Sequence, residues 1–249
     1  VMIPRVAGLS DVGAVRATNQ DAIDWRVSDD NRQVLLVVAD GMGGYQGGEI
    51  ASRIAVDTVM EALGGNLVPG KESDSEAPPD AMQAAINLAN ERIQERRAED
   101  ADLARMGTTL VITWMIDGEA HIAHLGDSRC YLVHEGKLRC LTRDDTVVQN
   151  MLEDGSIQPD DVPHVPFRNV LTRALGASSS LASFGKVALR PGDSLLLCSD
   201  GLTGALPEAD WLPILSGQGS VEDKVRALVD TSLDNEAADN VSVVLLTID

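Results

Sequence analysis

Aromatic side chains are scarce in this 249-residue chain, at 3% of its residues, and basic ones are outnumbered, leaving a formal net charge of −19. Bases would find no stacking platform and a nucleic-acid backbone no positive groove, so nucleic acid is not an expected partner. Long apolar runs are missing too. No stretch approaches the length of a membrane span, and the first residues lack the basic start and apolar core of a secretory signal. The expectation is a cytoplasmic protein with no membrane partner. Cysteine is limited to Cys130, Cys140 and Cys198, with no C-x-x-C spacing. That excludes a zinc or disulfide framework and makes all three expected core residues in a reducing compartment. The histidines, His121, His124, His134 and His164, show no H-E-x-x-H or H-x-H spacing, which disfavours zinc chemistry. His121 and His124 fall on opposite faces of a predicted strand and read as packing residues. No G-x-S-x-G or Walker-type loop is present, so a serine nucleophile and a P-loop lack support.

What is present is ample apolar material, 44% of residues, with no internal repeat or linker dividing the chain. We read residues 1–249 as one α/β domain. Apolar spacing predicts a helix over Glu49–Leu63 and a second after Pro78-Pro79 with Asp80 as N-cap, joined by a polar connector, Asn66–Ala77. Alternating runs between Thr108 and Leu141 predict antiparallel hairpins. A short helix over Thr146–Leu152 leads into a Pro-, Asp- and Gly-rich excursion. Strands near Phe184–Leu189 and Ser194–Cys198, a helix over Val221–Leu233 and a last strand over Val241–Ile248 complete the pattern.

Three aspartates stand where apolar runs begin or stop. Val34–Ala39 runs into Asp40 and a glycine-dense turn; Ser194–Cys198 runs to Asp200-Gly201; Asp239-Asn240 come immediately before the last strand. In an antiparallel sheet the finishing ends of two strands lie beside the starting end of a third, so these carboxylates can converge at a shared sheet edge. Such charges repel by several kcal/mol unless they hold metal or share protons, and oxygen ligands of this hardness suit Mg²⁺ or Mn²⁺. Taken singly, each Asp-Gly also reads as an ordinary turn former. Arg16, in R-A-T-N-Q-D before the first predicted strand, offers a fork for phosphate or a surface ion pair with Asp11 or Asp24. Asp127, at the tip of L-G-D-S-R, reads as a turn former or as a ligand for a further ion.

Taken in order, R-A-T-N-Q-D, A-D-G-M-G-G with G-G-E-I-A-S, M-G-T-T, G-D-S-R, L-T-R-A-L-G, C-S-D-G-L and A-D-N-V-S resemble the metal-dependent protein phosphatases, the type 2C Ser/Thr phosphatases, in their compact bacterial form. The motifs span nearly the whole chain. The resemblance implies a four-layer α-β-β-α sandwich, with two central antiparallel sheets flanked by helix pairs and a metal site at one edge. It implies that Asp40 bridges two Mn²⁺ or Mg²⁺ ions, Asp200 and Asp239 complete one, and the Gly41 carbonyl holds the other. Asp21 and Asn240 would act behind these ligands, and Asp127 with Asp200 would match a third, weaker ion site. Arg16 would grip phosphate while a metal-bridged water attacks phosphorus in line.

Two positions depart from the family pattern. Tyr45 follows G-M-G-G, and Asp145 stands in Asp144-Asp145-Thr146, where family members often carry histidine. A histidine that would protonate the leaving alkoxide is therefore missing, and aryl phosphates should suffer less than Ser/Thr esters. The excursion 144–169 would correspond to the family's flap beside the active site. The implied activity is hydrolysis of phosphoserine and phosphothreonine in proteins, reversing a bacterial Ser/Thr kinase, by a monomer. A metal-bearing but weakly active phosphoprotein-binding regulatory module is the rival reading. A metal nuclease or cyclic nucleotide hydrolase would share the carboxylates but lacks the basic surface.

Overall fold

The structure, a computed structural model, describes residues 2–44, 46–67 and 77–249. Tyr45 and most of the Asn66–Ala77 connector lie outside the described residues. In chain order the elements are strands β1 (Pro4–Asp11), β2 (Asp21–Val27) and β3 (Gln33–Met42), then helices α1 (Gly47–Gly64) and α2 (Pro78–Glu99). A set of short strands follows: β4 (Gly107–Thr108), β5 (Leu110–Ile116), β6 (Glu119–Leu125), β7 (Arg129–His134) and β8 (Lys137–Cys140). Helix α3 (Val147–Glu153) precedes β9 (Ser183–Ala188) and β10 (Ser194–Cys198). Helices α4 (Asp200–Ala205), α5 (Trp211–Leu215) and α6 (Val221–Asp234) lead to β11 (Val241–Ile248).

The strands form two antiparallel sheets. One runs β1-β11-β10-β7-β8 and the other β2-β3-β5-β6-β9, with β4 paired to β3. Side-chain alternation builds four layers from them. On β3, Leu35, Val37 and Ala39 pack with α1 and α2, while Val34, Leu36 and Val38 join Leu195, Leu197, Val244 and Leu246 between the sheets. On the other sheet, Leu196, Cys198, Val243 and Leu245 turn outward to α4, α5 and α6. Both central sheets are therefore apolar on both faces, which is why their strands read as unbroken hydrophobic runs.

Several expectations need correction. Two strands, β1 and β2, precede the run at Val34, and Asp21 opens the second of them. Their half-exposed positions dilute the apolar alternation that would have marked them. Asp80 is not an N-cap: Ala77 occupies that position with Pro78 behind it, and Asp80 sits inside the first turn, where its charge still complements the helix dipole. Cys130 and Cys198 are buried, but Cys140 is exposed, because β8 is an edge strand with little covering it. The three strand-end aspartates do not share one sheet. Asp40 lies on β3, whereas Asp200 and Asp239 flank β10 and β11 on the facing sheet, so they meet across the sandwich.

Candidate metal centre and active site

The alternation that builds the layers also aims the polar residues. Asp40 continues the even-numbered positions of β3 into the inter-sheet space, and its direct partner across the ladder is Asp21 on β2. Such a pair places both side chains on one face, about 5 Å apart at Cβ. From the opposite sheet, Asp200 opens α4 at the end of β10, and Asp239 stands just before β11, the neighbouring strand. Asp127 comes from the turn between β6 and β7. A cavity of about 750 Å³ opens there, lined by Arg16, Gly41, Asp40, Asp127, Asp200 and Asp239 among others.

Close backbone approach makes two glycines obligatory here. A Cβ on Gly41 would stand 1.9 Å from the Gly48 carbonyl oxygen, where β3 meets the start of α1. One on Gly201 would stand 1.8 Å from the Asn240 carbonyl oxygen, where α4 meets the start of β11. The Asp-Gly pairs thus let two carboxylates sit at junctions that a side chain would force apart.

Electrostatically the centre is crowded. Burial, followed by the charges of Asp21 and Asp200, holds Asp40 well above the usual carboxylate range. Burial and then Asp200 and Asp144 push Asp127 up to about 8. Burial raises Asp21 to about 7 against the opposing hydrogen bonds of Ser242 and Ser199. Asp200 is raised by burial, opposed by its hydrogen bond with Asp40. Repulsion among buried carboxylates leaves them wanting protons or cations.

Two buried side-chain oxygens in the described residues, Asp21 Oδ1 and Asp200 Oδ1, have no hydrogen-bond partner. Asp200 lines the acidic cavity, and a bare, buried carboxylate oxygen there fits a hard divalent cation, which supplies the positive partner that no donor provides. Among the described residues no three His, Cys, Asp or Glu side chains stand close enough together to hold an ion by themselves. An ion would draw its remaining ligands from backbone carbonyls and water.

Arg16 is the cation at the rim. Its side chain is 56% exposed, and its Nε lies 3.4 Å from Asp239 Oδ1, so its ion-pair partner is neither Asp11 nor Asp24. Asn240 secures the loop that carries Arg16. Its Oδ1 accepts from the Gln20 N–H at 2.9 Å, and its Nδ2 donates to the carbonyls of Val12 and Thr18 at 2.8 and 3.0 Å. The 144–169 segment is closed at its base by the Thr146–Leu171 bridge, and Asn169 and Leu171 line the cavity. Asp145 faces away from the chemistry. Its Oδ2 accepts from the Gly126 N–H at 2.9 Å, so it braces the turn bearing Asp127.

The hydroxyl side chains of the motifs were given no role by sequence reasoning, and they hold the site together. Thr109 Oγ1 accepts from the Asp40 N–H at 3.0 Å and meets Ser128 Oγ at 2.7 Å, linking M-G-T-T to G-D-S-R. Ser199 and Ser242 bond the Asp21 carboxylate. Arg129 grips Asp144 through two bonds, of 2.8 and 2.6 Å, and reaches Tyr131 and Glu208. The only signal for these residues was their place inside quoted motifs.

Comparison with known proteins agrees with this geometry. The protein phosphatase 2C model matches residues 14–237. The serine/threonine phosphatase stp of Listeria monocytogenes is 34% identical over 240 residues, covering 95% of this chain and 93% of that protein. The solved serine/threonine phosphatase of S. agalactiae superposes with a TM-score of 0.89 at 30% identity, covering 99% of this chain and 100% of that one. The catalytic domain of the serine/threonine protein phosphatase PstP, solved in complex with two manganese ions, superposes with a TM-score of 0.85 at 31% identity, covering 100% and 99%. With its carboxylates meeting across two facing sheets and the family model matched over residues 14–237, the chain belongs to the protein phosphatase 2C family.

Proposed function

We propose that this chain hydrolyses phosphoserine and phosphothreonine in proteins, using Mn²⁺ or Mg²⁺ at the inter-sheet carboxylates, and so reverses a bacterial Ser/Thr kinase. The observation that carries the reading is the bare buried oxygen of Asp200, in one cavity with Asp40, Asp127, Asp239 and the Arg16 guanidinium. Asp40, Asp200, Asp239 and the Gly41 carbonyl would hold two ions, and Asp127 with Asp200 a third. Asp21 and Asn240 would act from behind. When bound, such ions supply Lewis-acid charge at phosphorus and activate water for displacement without a covalent enzyme intermediate.

The chain's own residues would do the rest. Arg16 forks the phosphate oxygens and stabilises charge spreading over them in the transition state. Asn240 keeps the Arg16 loop in place, and the end of the flap, through Asn169 and Leu171, bounds the space beside the phosphate. Asp145 does not deliver a proton to the leaving group, since its carboxylate is committed to the Gly126 N–H. Proton delivery would then fall to Tyr45, metal-bound water or bulk solvent, and turnover should favour better leaving groups. Residues 1–249 would act as a single catalytic domain and a monomer.

The test is hydrolysis of a phosphothreonine peptide and of an aryl phosphate with Mn²⁺, Mg²⁺ or chelator, with Asp40→Ala and Asp239→Ala alongside. Turnover of both substrates that vanishes with chelator and in both variants is the expected result. Aryl hydrolysis alone would locate a defect in leaving-group protonation. No turnover despite bound metal would overturn the reading and favour a phosphoprotein-binding module.

A further inference from the structure

Asp21 is held from the sheet to which it does not belong. Its ladder partner is Asp40, and each carboxylate bears on the other's ionisation. Yet its Oδ2 accepts from Ser242 Oγ at 2.6 Å and from Ser199 Oγ at 2.9 Å, two fully buried hydroxyls on the facing sheet. Each hydroxyl has one hydrogen, which fixes the direction of every bond. Ser242 gives its hydrogen to Asp21 and so accepts from Ser10 Oγ at 2.6 Å, its direct partner on β1. Ser10 in turn accepts from Asn19 Nδ2 at 2.8 Å. Ser199 gives its hydrogen to Asp21 at 2.9 Å, with the Asn240 carbonyl a longer alternative acceptor at 3.4 Å, and accepts from the Ser242 N–H at 3.1 Å. The two hydroxyls converge on Oδ2, while Oδ1, equally buried, receives none.

We propose that Ser199 and Ser242 are positioning residues for the cation site: they pin one oxygen of Asp21 from the opposite sheet and leave the other bare beside Asp40. The inference rests on the metal-dependent reading above and deepens it. Divalent-cation affinity then depends on two hydroxyls that touch neither cation nor substrate. Without them the Asp21 carboxylate is free to rotate about its terminal torsion, and the bare oxygen is no longer presented in one place. Groups that orient a ligand in this way are commonly worth 10- to 100-fold in metal affinity, so that is about the size of effect expected.

The experiment is Mn²⁺ titration calorimetry on the parent, Ser199→Ala, Ser242→Ala and the double variant, paired with the Mn²⁺ dependence of aryl phosphate hydrolysis. The expected result is a dissociation constant and a half-saturating Mn²⁺ concentration raised by about 10- to 100-fold in the double variant, with turnover largely restored at saturating Mn²⁺. A merely structural role would instead lower maximal turnover and leave half-saturation where it was. Ser10→Ala removes a donor to Ser242 but none to Asp21, so it should give a smaller shift of the same sign; should the double variant fail to fold, Ser242→Ala and Ser10→Ala decide the matter. A folded variant with unchanged Mn²⁺ affinity and full turnover overturns this inference alone. A parent that binds Mn²⁺ and hydrolyses nothing overturns the phosphatase reading, and the shift in dissociation constant still decides the role of the serines.

Discussion

At the scale of single residues, the centre trades stability for charge. Asp200 shares the cavity with Asp40, Asp239 and Asp127, and its ionisation is opposed by burial and by the charge of Asp239, against the hydrogen bond of Asp40. Replacing it by Asn removes one like charge and keeps the side chain's shape. We expect Asp200→Asn to raise the melting temperature in chelator by about 2–4 °C, the size of a 1 kcal/mol gain in a chain of this length. The same variant should lose Mn²⁺-stimulated turnover; differential scanning calorimetry and a phosphatase assay together would show whether the gain and the loss coincide. Arg16 is a different case, being half-exposed and paired, among the described residues, with Asp239. Arg16→Ala should leave the melting temperature nearly unchanged and lower kcat/KM for a phosphothreonine peptide by about 10- to 100-fold, the worth of one lost charged hydrogen bond. Steady-state kinetics that match the parent would remove Arg16 from phosphate binding.

At the scale of elements, the start of the 144–169 segment is tied to the sheet by a partly buried polar knot. Arg129 on β7 holds Asp144 with two bonds and contacts Tyr131 and Glu208, and the charge of Asp144 is felt at Asp127 and Asp200. Burial alone would lower the Arg129 pKa, but Asp144 more than offsets it and the net direction is up. Removing the cation leaves Asp144 without its partner, and breaking such a pair costs about 3 kcal/mol. Arg129→Ala should therefore lower the melting temperature by about 6–12 °C. A variant that melts with the parent would show that solvent replaces the pair. Asp145 contributes to the same region in another way. Here the carboxylate caps the Gly126 N–H, and the segment returns through the Thr172 N–H bond to the Asp145 carbonyl.

At the scale of the whole molecule, pH and metal act on the same groups. Asp21 binds its proton up to about pH 7 in the folded chain against 3.8 for a free carboxyl, and Asp127 up to about 8. Between these values the folded state holds more protons than the unfolded one, so stability is full below the unfolded pKa and declines as pH rises through the folded one. The net charge of −19 adds repulsion in the same direction. In chelator, the melting temperature should fall between pH 5 and 8, and Mn²⁺ should flatten that fall by giving the carboxylates a cation in place of protons. A melting temperature in chelator that rises over this range would show that the carboxylates are not strained. Among the described residues no helix is long and apolar enough to cross a membrane.

The sequence by itself determined the ingredients. The apolar runs from Val34 and Ser194 marked buried strands, the Asp-Gly pairs at Asp40 and Asp200 marked their ends, and the ordered motifs identified the family, because these signals depend on neighbours a few residues apart. It did not determine which strand-end carboxylates face one another. Strands buried on both faces carry no alternation to say which side a side chain takes, so Asp40 on one sheet and Asp200 on the other looked alike. The serines that hold Asp21 lie 178 and 221 residues from it, and nothing local marks a hydroxyl whose partner is so distant. Only the stacking of the two sheets decided that these groups meet, since burial turns a distant polar residue into an obligatory hydrogen-bond partner.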